Sequence, residues 1–159
     1  MDTDVLEEIR KLKHAYFRLL DTKHFQELGE LFTEEATTAY ESGKLSQVGR
    51  AAIVAFLEES LTDPGIVTMH HGHHPEITLD GPDRARGTWY LEDRVIVPAF
   101  DLVISGTALY SDQYRLEAGG WRIAHTGYER IFEEHRTYTT GAAVSFTSRF
   151  GALRIEPPA

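Results

Sequence analysis

Four of the eight histidines in the chain stand within five residues, at His70, His71, His73 and His74. Imidazole is the side chain best suited to proton transfer near neutral pH. Alternate side chains of a strand share a face, so His70 and His74 would lie on one face and His71 and His73 on the other. A bulge at Gly72 would change that parity. Three interpretations stay open: a general base, a metal site built from histidines two residues apart, and histidines without a chemical role.

A second stretch, residues 89–93, places a carboxylate beside large apolar side chains. In a strand, Trp89, Leu91 and Asp93 share one face. A carboxylate in such surroundings needs a partner. A histidine on a neighbouring antiparallel strand would serve, with Asp93 holding the imidazole in one tautomer and raising its basicity. The alternative is an exposed Asp93 in a surface ion pair with Arg94.

Two further groups of polar side chains fall on faces that also carry apolar residues. Tyr16 lies on the apolar stripe of the first predicted helix, and Asp21 lies at the end of that helix. A buried phenol can donate a hydrogen bond to a substrate carbonyl or bind backbone in the core. In the last predicted strand, Tyr128, Arg130 and Phe132 share a face, where Arg130 would anchor an anion, orient a carboxylate or form an ion pair at the rim.

The elements that must position these residues are helices followed by strands. Apolar residues at steps of three and four predict helices over residues 5–20, 25–32 and 49–61. After Pro64 the period changes to two, which predicts four long strands over residues 66–79, 84–97, 102–116 and 121–133, besides a short strand at 36–42. Short turns between long strands imply antiparallel hairpins. We therefore predict an α+β domain over residues 1–140, with three helices on one face of a curved antiparallel sheet. Residues 141–159 would be a tail, either a late strand or loosely held.

Composition excludes several classes of function. The 16 basic residues against 25 acidic ones give a formal charge of −9, which disfavours nucleic acid and anionic membranes as partners. The chain has no cysteine, which excludes a disulfide scaffold, a thiolate metal site and a cysteine nucleophile. No apolar run approaches the roughly 20 residues of a membrane span. The first residues do not follow the pattern of a secretory signal, which predicts a cytoplasmic protein. No glycine-rich phosphate loop or Gly-x-Ser-x-Gly elbow occurs.

Five stretches, taken together and in order, resemble a known family. They are residues 16–21, 40–45, 69–78, 89–93 and 126–135. Their layout is similar to the SnoaL-like branch of the nuclear transport factor 2-like superfamily. Within that branch they resemble the bacterial bile acid 7α-dehydratases and, more distantly, the scytalone dehydratases. The resemblance implies a cone-shaped α+β fold and a homo-oligomer, either a dimer or a trimer.

The resemblance also implies a lyase: a dehydratase that needs no cofactor and no metal. Its substrate would be a small apolar carbonyl compound bearing a hydroxyl, either steroid- or bile-acid-like or a polyketide. By matching motifs, the resemblance selects His70 as the base with Asp93 as its partner. It also implies that Tyr16 donates a hydrogen bond to the substrate carbonyl. Substrate contacts are expected from Asp21, Tyr40, Trp89, Tyr128 and Arg130. Two alternatives stay open: a ketosteroid-type isomerase or polyketide cyclase with the same pocket, and a non-catalytic small-molecule binding domain.

Overall fold

The computed structural model describes residues 2–137, 144–148 and 151–155. The helices are α1 (Asp2–Asp21), α2 (Phe25–Gly29) and α3 (Arg50–Leu61), with a short 3₁₀ turn at Pro98–Phe100. The strands are β1 (Phe32–Tyr40), β2 (Leu45–Val48), β3 (Val67–Leu79), β4 (Arg84–Val97), β5 (Leu102–Glu117), β6 (Gly120–Arg136), β7 (Val144–Ser148) and β8 (Gly151–Ile155). Within these ranges, no helix has both the length and the apolar character needed to cross a membrane.

Six of the strands form one curved, open sheet in the order β2-β1-β6-β5-β4-β3. The pairs are antiparallel except β1 with β6, which run parallel. Strands β7 and β8 form a separate antiparallel pair. The α+β prediction with three helices and a curved sheet is confirmed. The domain boundary predicted after residue 140 lies outside the described residues and stays a prediction.

The hydrophobic core lies between the helices and one face of the sheet. Helix α1 contributes Ile9, Tyr16 and Leu20, each almost fully buried, and it packs against β3 and β6. The sheet contributes alternate residues, as β4 shows with buried Ala85, Trp89 and Leu91 between exposed neighbours. Because strand side chains alternate, every second residue of β3 to β6 faces this layer and its cavities, except where a bulge shifts the alternation.

The sequence prediction departs from the structure at the second helix. Helix α2 ends at Gly29, and Phe32, predicted as helical, is the first residue of β1. A helix of five residues shows little more than one turn, so its apolar spacing cannot be told from the start of a strand. The predicted strand at 36–42 is the later part of β1. Strand β2 has four residues with mostly exposed side chains, and it was not predicted because it lacks an alternating pattern.

A bulge in β3 decides which of its side chains face the core. Between His73 and Glu76 the strand advances three residues while β4 advances two, from Tyr90 to Thr88. The extra residue reverses the parity. His70 therefore faces the core side before the bulge, and Ile77 packs on the core after it. The sequence suggested a bulge at Gly72, whereas the structure places the bulge between His73 and Glu76.

Gly72 has a different function, since it makes room for an aromatic ring of α1. A Cβ atom at position 72 would lie 2.3 Å from Cε2 of Phe17, a buried residue. We expect Gly72→Ala to lower the free energy of unfolding by about 1–3 kcal/mol, the usual cost of overpacking. Urea denaturation measures this effect. Gly81→Ala is a partial control: its Cβ meets no atom within 4 Å, although its φ of +109° adds backbone strain. An unchanged stability in Gly72→Ala would show that Phe17 moves aside freely.

Candidate active site

A cavity of about 210 Å³ lies between α3, the end of α1 and the core-facing side of the sheet. Its apolar wall includes Leu20, Phe56, Leu57, Leu61, Val95 and Ile104. Its polar lining comes mainly from several strands, with one residue of α3 and one that follows β1: Tyr40, Glu41, Ser60, Thr68, His70, Asp93, Tyr110, Tyr128, Arg130 and Glu133. A mostly apolar cavity with a few converging polar groups is the usual form of a small-molecule site.

His70 is held by Asp21, the last residue of α1. Nδ1 of the imidazole lies 2.6 Å from Oδ1 of Asp21, and the backbone N–H of His70 donates to Oδ2 at 2.8 Å. The hydroxyl of Thr68 also donates to Oδ1, at 2.8 Å. The carboxylate thus accepts three hydrogen bonds from β3. The end of the helix is fixed to the strand at the position of the histidine.

This contact determines the tautomer of His70. An ionised carboxylate only accepts hydrogen bonds, so Nδ1 must carry the proton that it donates to Asp21. The neutral ring then has its lone pair on Nε2. Only 12% of the side chain is exposed, and it lines the cavity. An imidazole that, in its neutral form, has a carboxylate partner on Nδ1 and its lone pair on Nε2 is the arrangement of a general base.

Asp93 has a different partner from the one that the sequence suggested. The register places it opposite His70, as expected. Its carboxylate, however, accepts two hydrogen bonds from Arg130, at 2.5 Å from Nη1 and 2.8 Å from Nη2. Nε of Arg130 also lies 3.1 Å from Oε2 of Glu133. The planar guanidinium binds both carboxylate oxygens of Asp93 at once, a stronger contact than one imidazole N–H provides.

The two tyrosines expected in the site occur as a hydrogen-bonded pair. The hydroxyls of Tyr16 and Tyr40 are 2.9 Å apart, and both side chains are buried. Tyr40 lines the cavity, whereas Tyr16 lies behind it in the core. Burial raises the pKa of both phenols well above their ordinary value. Both hydroxyls therefore keep their protons at neutral pH, and either of them can be the donor within the pair.

The remaining expected contacts divide between cavity and core. Tyr128 lines the cavity, and burial raises its pKa to about 12. Its ring lies 5.2 Å from the Arg130 guanidinium carbon. Trp89 is fully buried and does not line the cavity; its indole N–H donates to the Tyr114 hydroxyl at 2.9 Å. The structure therefore gives Trp89 a packing position rather than a substrate contact.

Sequence reasoning missed a buried polar network next to the cavity. The Lys13 ammonium lies 2.8 Å from Oδ2 of Asp112 and 3.7 Å from the ring centre of Tyr110, which lines the cavity. Thr126 and Tyr114 donate to the same carboxylate, at 2.6 Å and 2.7 Å. Lys13 could have been found from its position on the apolar stripe of α1, one residue after Leu12 and three before Tyr16.

Three helices, a curved open sheet and a cavity between them define a fold that many solved structures share. Residues 2–127 match the model of the SnoaL-like domain family. The chain belongs to this family. The resemblance suggested by the sequence is thereby confirmed at the level of the family.

Three solved structures illustrate the similarity. An NTF2-like protein with a cystatin-like fold from Novosphingobium aromaticivorans is 25% identical, with a TM-score of 0.68 over 81% of this chain and 83% of that one. A protein of the same organism assigned as a scytalone dehydratase is 20% identical, with a TM-score of 0.74 over 84% and 89%. A hexachlorocyclohexane dehydrochlorinase from Novosphingobium barchaimii is 16% identical, with a TM-score of 0.74 over 86% and 94%.

Proposed function

We propose that this protein is a cofactor-independent dehydratase that eliminates water from a small hydroxylated carbonyl compound. The observation that carries the proposal is the pairing of His70 with Asp21 in a largely apolar cavity. A binding domain has no need of an oriented base, whereas an elimination begins with removal of a proton from carbon. Structural neighbours named as a dehydratase and a dehydrochlorinase perform eliminations, which agrees with this class of reaction.

The proposed reaction moves one proton and one hydroxyl. Nε2 of His70 takes the proton from the carbon next to the substrate carbonyl, and the C–H electrons move to the carbonyl oxygen as an enolate. The enolate then re-forms the carbonyl and expels the β-hydroxyl, whose C–O bond breaks. The imidazolium returns its proton to the leaving oxygen, which departs as water. His70 ends neutral, and Asp21 stabilises the imidazolium that exists between the two transfers.

Tyr40 is the proposed donor to the enolate oxygen. A phenol that keeps its proton and faces an apolar cavity stabilises negative charge that develops in the transition state. Tyr16 supports it from the core through the hydroxyl pair. Hydroxide is a poor leaving group and needs an acid, which the His70 imidazolium supplies in this scheme.

The charges around the cavity favour an uncharged substrate. Glu41, Asp93 and Glu133 line the cavity, and Asp21 lies beside it on His70. Arg130 is the single cation among the lining residues, and it already contacts Asp93 and Glu133. An anionic substrate would meet this excess of negative charge. A volume of about 210 Å³ is also below the roughly 300–1,000 Å³ of drug-sized sites. We therefore favour a one- or two-ring hydroxylated ketone over a steroid or a free acid.

A panel of neutral β-hydroxy ketones tests the proposal. The purified protein is incubated with one-ring, two-ring and steroid members, and each product is analysed by mass spectrometry for loss of one water. We expect dehydration of the smaller members and no reaction of the matching β-hydroxy acids. A product of unchanged mass but altered double-bond position would identify an isomerase instead. Tight binding without turnover across the panel would identify a binding domain.

Tyr40 has its own prediction within this scheme. We expect Tyr40→Phe to lower kcat by about 10²–10³-fold, the effect of removing one oxyanion donor from an active site. KM should change little, because the hydroxyl matters most when charge develops. Tyr90→Phe is a matched control, since this side chain lies on the other face of the sheet with 44% exposed. A Tyr40→Phe enzyme with near-normal kcat would remove Tyr40 from the mechanism.

A further inference from the structure

The face of the sheet opposite the cavity carries a second group of potential ligands. His71 and His73 of β3 and Glu92 of β4 are all exposed. One ligand atom from each of the three lies within 4.8 Å of the other two. The register explains this grouping. His71 stands directly opposite Glu92, and His73 follows two residues along on the same face. None of the three lines the candidate active site.

One of the distances within this group already fits a transition metal. Nε2 of His73 lies 3.4 Å from Oε2 of Glu92. Two ligands bound tetrahedrally to zinc at ~2.0–2.1 Å are ~3.3 Å apart, so these two atoms already have the required separation. Imidazole and carboxylate together suit zinc and its neighbours in the first transition row, whereas magnesium and calcium prefer oxygen ligands alone.

The bulge in β3 adds a third imidazole to this face. His74 has a φ of 49°, a left-handed conformation that few residues with a side chain adopt. By strand alternation His74 would share the core-facing side with His70. Instead it is exposed, its ring centre lies 6.0 Å from that of His73, and it contacts Tyr90 on the outer face. Backbone strain of this kind persists where the surrounding structure maintains it, and it often marks functional positions.

We propose that His71, His73 and Glu92 form a site for one divalent transition metal ion of the zinc type on the outer face of the sheet. Water would complete the coordination, and His74, whose ring centre lies 6.0 Å from that of His73, is the neighbouring imidazole on this face. The site is independent of the proposed dehydratase reaction. Its two histidines, His71 and His73, lie on the outer face of the sheet, whereas His70 lines the cavity. This proposal differs from the sequence prediction, which favoured no metal.

Calorimetric titration of the full, untagged chain with zinc chloride tests the site. We expect one zinc ion per chain. His71→Asn, His73→Asn and Glu92→Gln should each weaken binding by at least about tenfold, since even changes behind the ligands of a metal site cost that much. His135→Asn is a matched control: this exposed imidazole also contacts a carboxylate, Glu133, but the residue opposite it on β5 is Ile104. Its affinity should equal that of the unmodified chain.

Titration with cobalt chloride gives a second readout, because the visible absorption of bound cobalt reports its ligands. We expect the band to disappear in the His71→Asn/His73→Asn double variant, while the circular dichroism of the protein stays unchanged. Three results would overturn the proposal: no zinc binding at submillimolar concentration, unchanged affinity in the double variant, or one ion per two chains. The last result would show that the ligands come from two copies.

Discussion

His70→Gln is expected to lower kcat by about 10²–10⁴-fold on any substrate that the protein dehydrates, the usual contribution of a positioned general base. Glutamine keeps a polar group in the cavity but cannot take a proton near neutral pH. Steady-state kinetics on the best member of the ketone panel measures the effect. His24→Asn is the matched control, because this exposed imidazole is bound to the Thr22 hydroxyl and is not among the residues that line the cavity. Near-normal kcat in His70→Gln would exclude His70 as the base.

The same experiment separates the two carboxylates. Asp21→Asn should lower kcat by at least about tenfold, since ~1.4 kcal/mol of barrier is within the range of one hydrogen bond to a charged group. Asp93→Asn should change kcat less, because in the structure Asp93 binds Arg130 and not the imidazole. Thermal unfolding of both variants checks that the fold persists. A larger loss of kcat in Asp93→Asn than in Asp21→Asn would favour the pairing suggested by the sequence.

How much of the fold could be predicted depended on the length of each element. The four long strands β3 to β6 were found within a few residues, because alternation over a dozen residues or more is a strong signal. Helices α1 and α3 were found because their apolar residues recur at steps of three and four over 20 and 12 residues. Strand β2 has four residues and α2 has five, too few to show a period. The parallel pairing of β1 with β6 is a tertiary contact between distant segments, and no local pattern encodes it.

Several residues that the sequence suggested for the site line the cavity, but their contacts with one another could not all be predicted. The alternating patterns and the short turn between them predicted that His70 and Asp93 lie on neighbouring strands, and the register brings the two residues opposite each other. Which side chain each one binds depends on longer-range geometry. Asp21 reaches His70 only because the end of α1 lies on β3, 49 residues later. Arg130 reaches Asp93 from β6, with β5 between them. Spacing along the chain carries no information about such contacts.

The buried pair of Lys13 and Asp112 predicts the largest effect on stability. Both side chains are fully buried, and the carboxylate binds the ammonium, Thr126 and Tyr114. Burial lowers the pKa of Lys13, and the contact with Asp112 opposes that shift. Removing one partner leaves the other charge buried and unpaired. We therefore expect Lys13→Met to lower the free energy of unfolding by about 3–5 kcal/mol.

Urea denaturation of Lys13→Met beside Lys11→Met measures this effect. Lys11 is exposed on the same helix, and its replacement should change stability by no more than about 0.5 kcal/mol. The double variant Lys13→Met/Asp112→Asn should recover part of the loss, because asparagine carries no charge that requires the ammonium. If the double variant were no more stable than Lys13→Met, the loss would come from the shape of the lysine side chain. A loss below about 1 kcal/mol in Lys13→Met would mean that Asp112 is satisfied by its two hydroxyl donors alone.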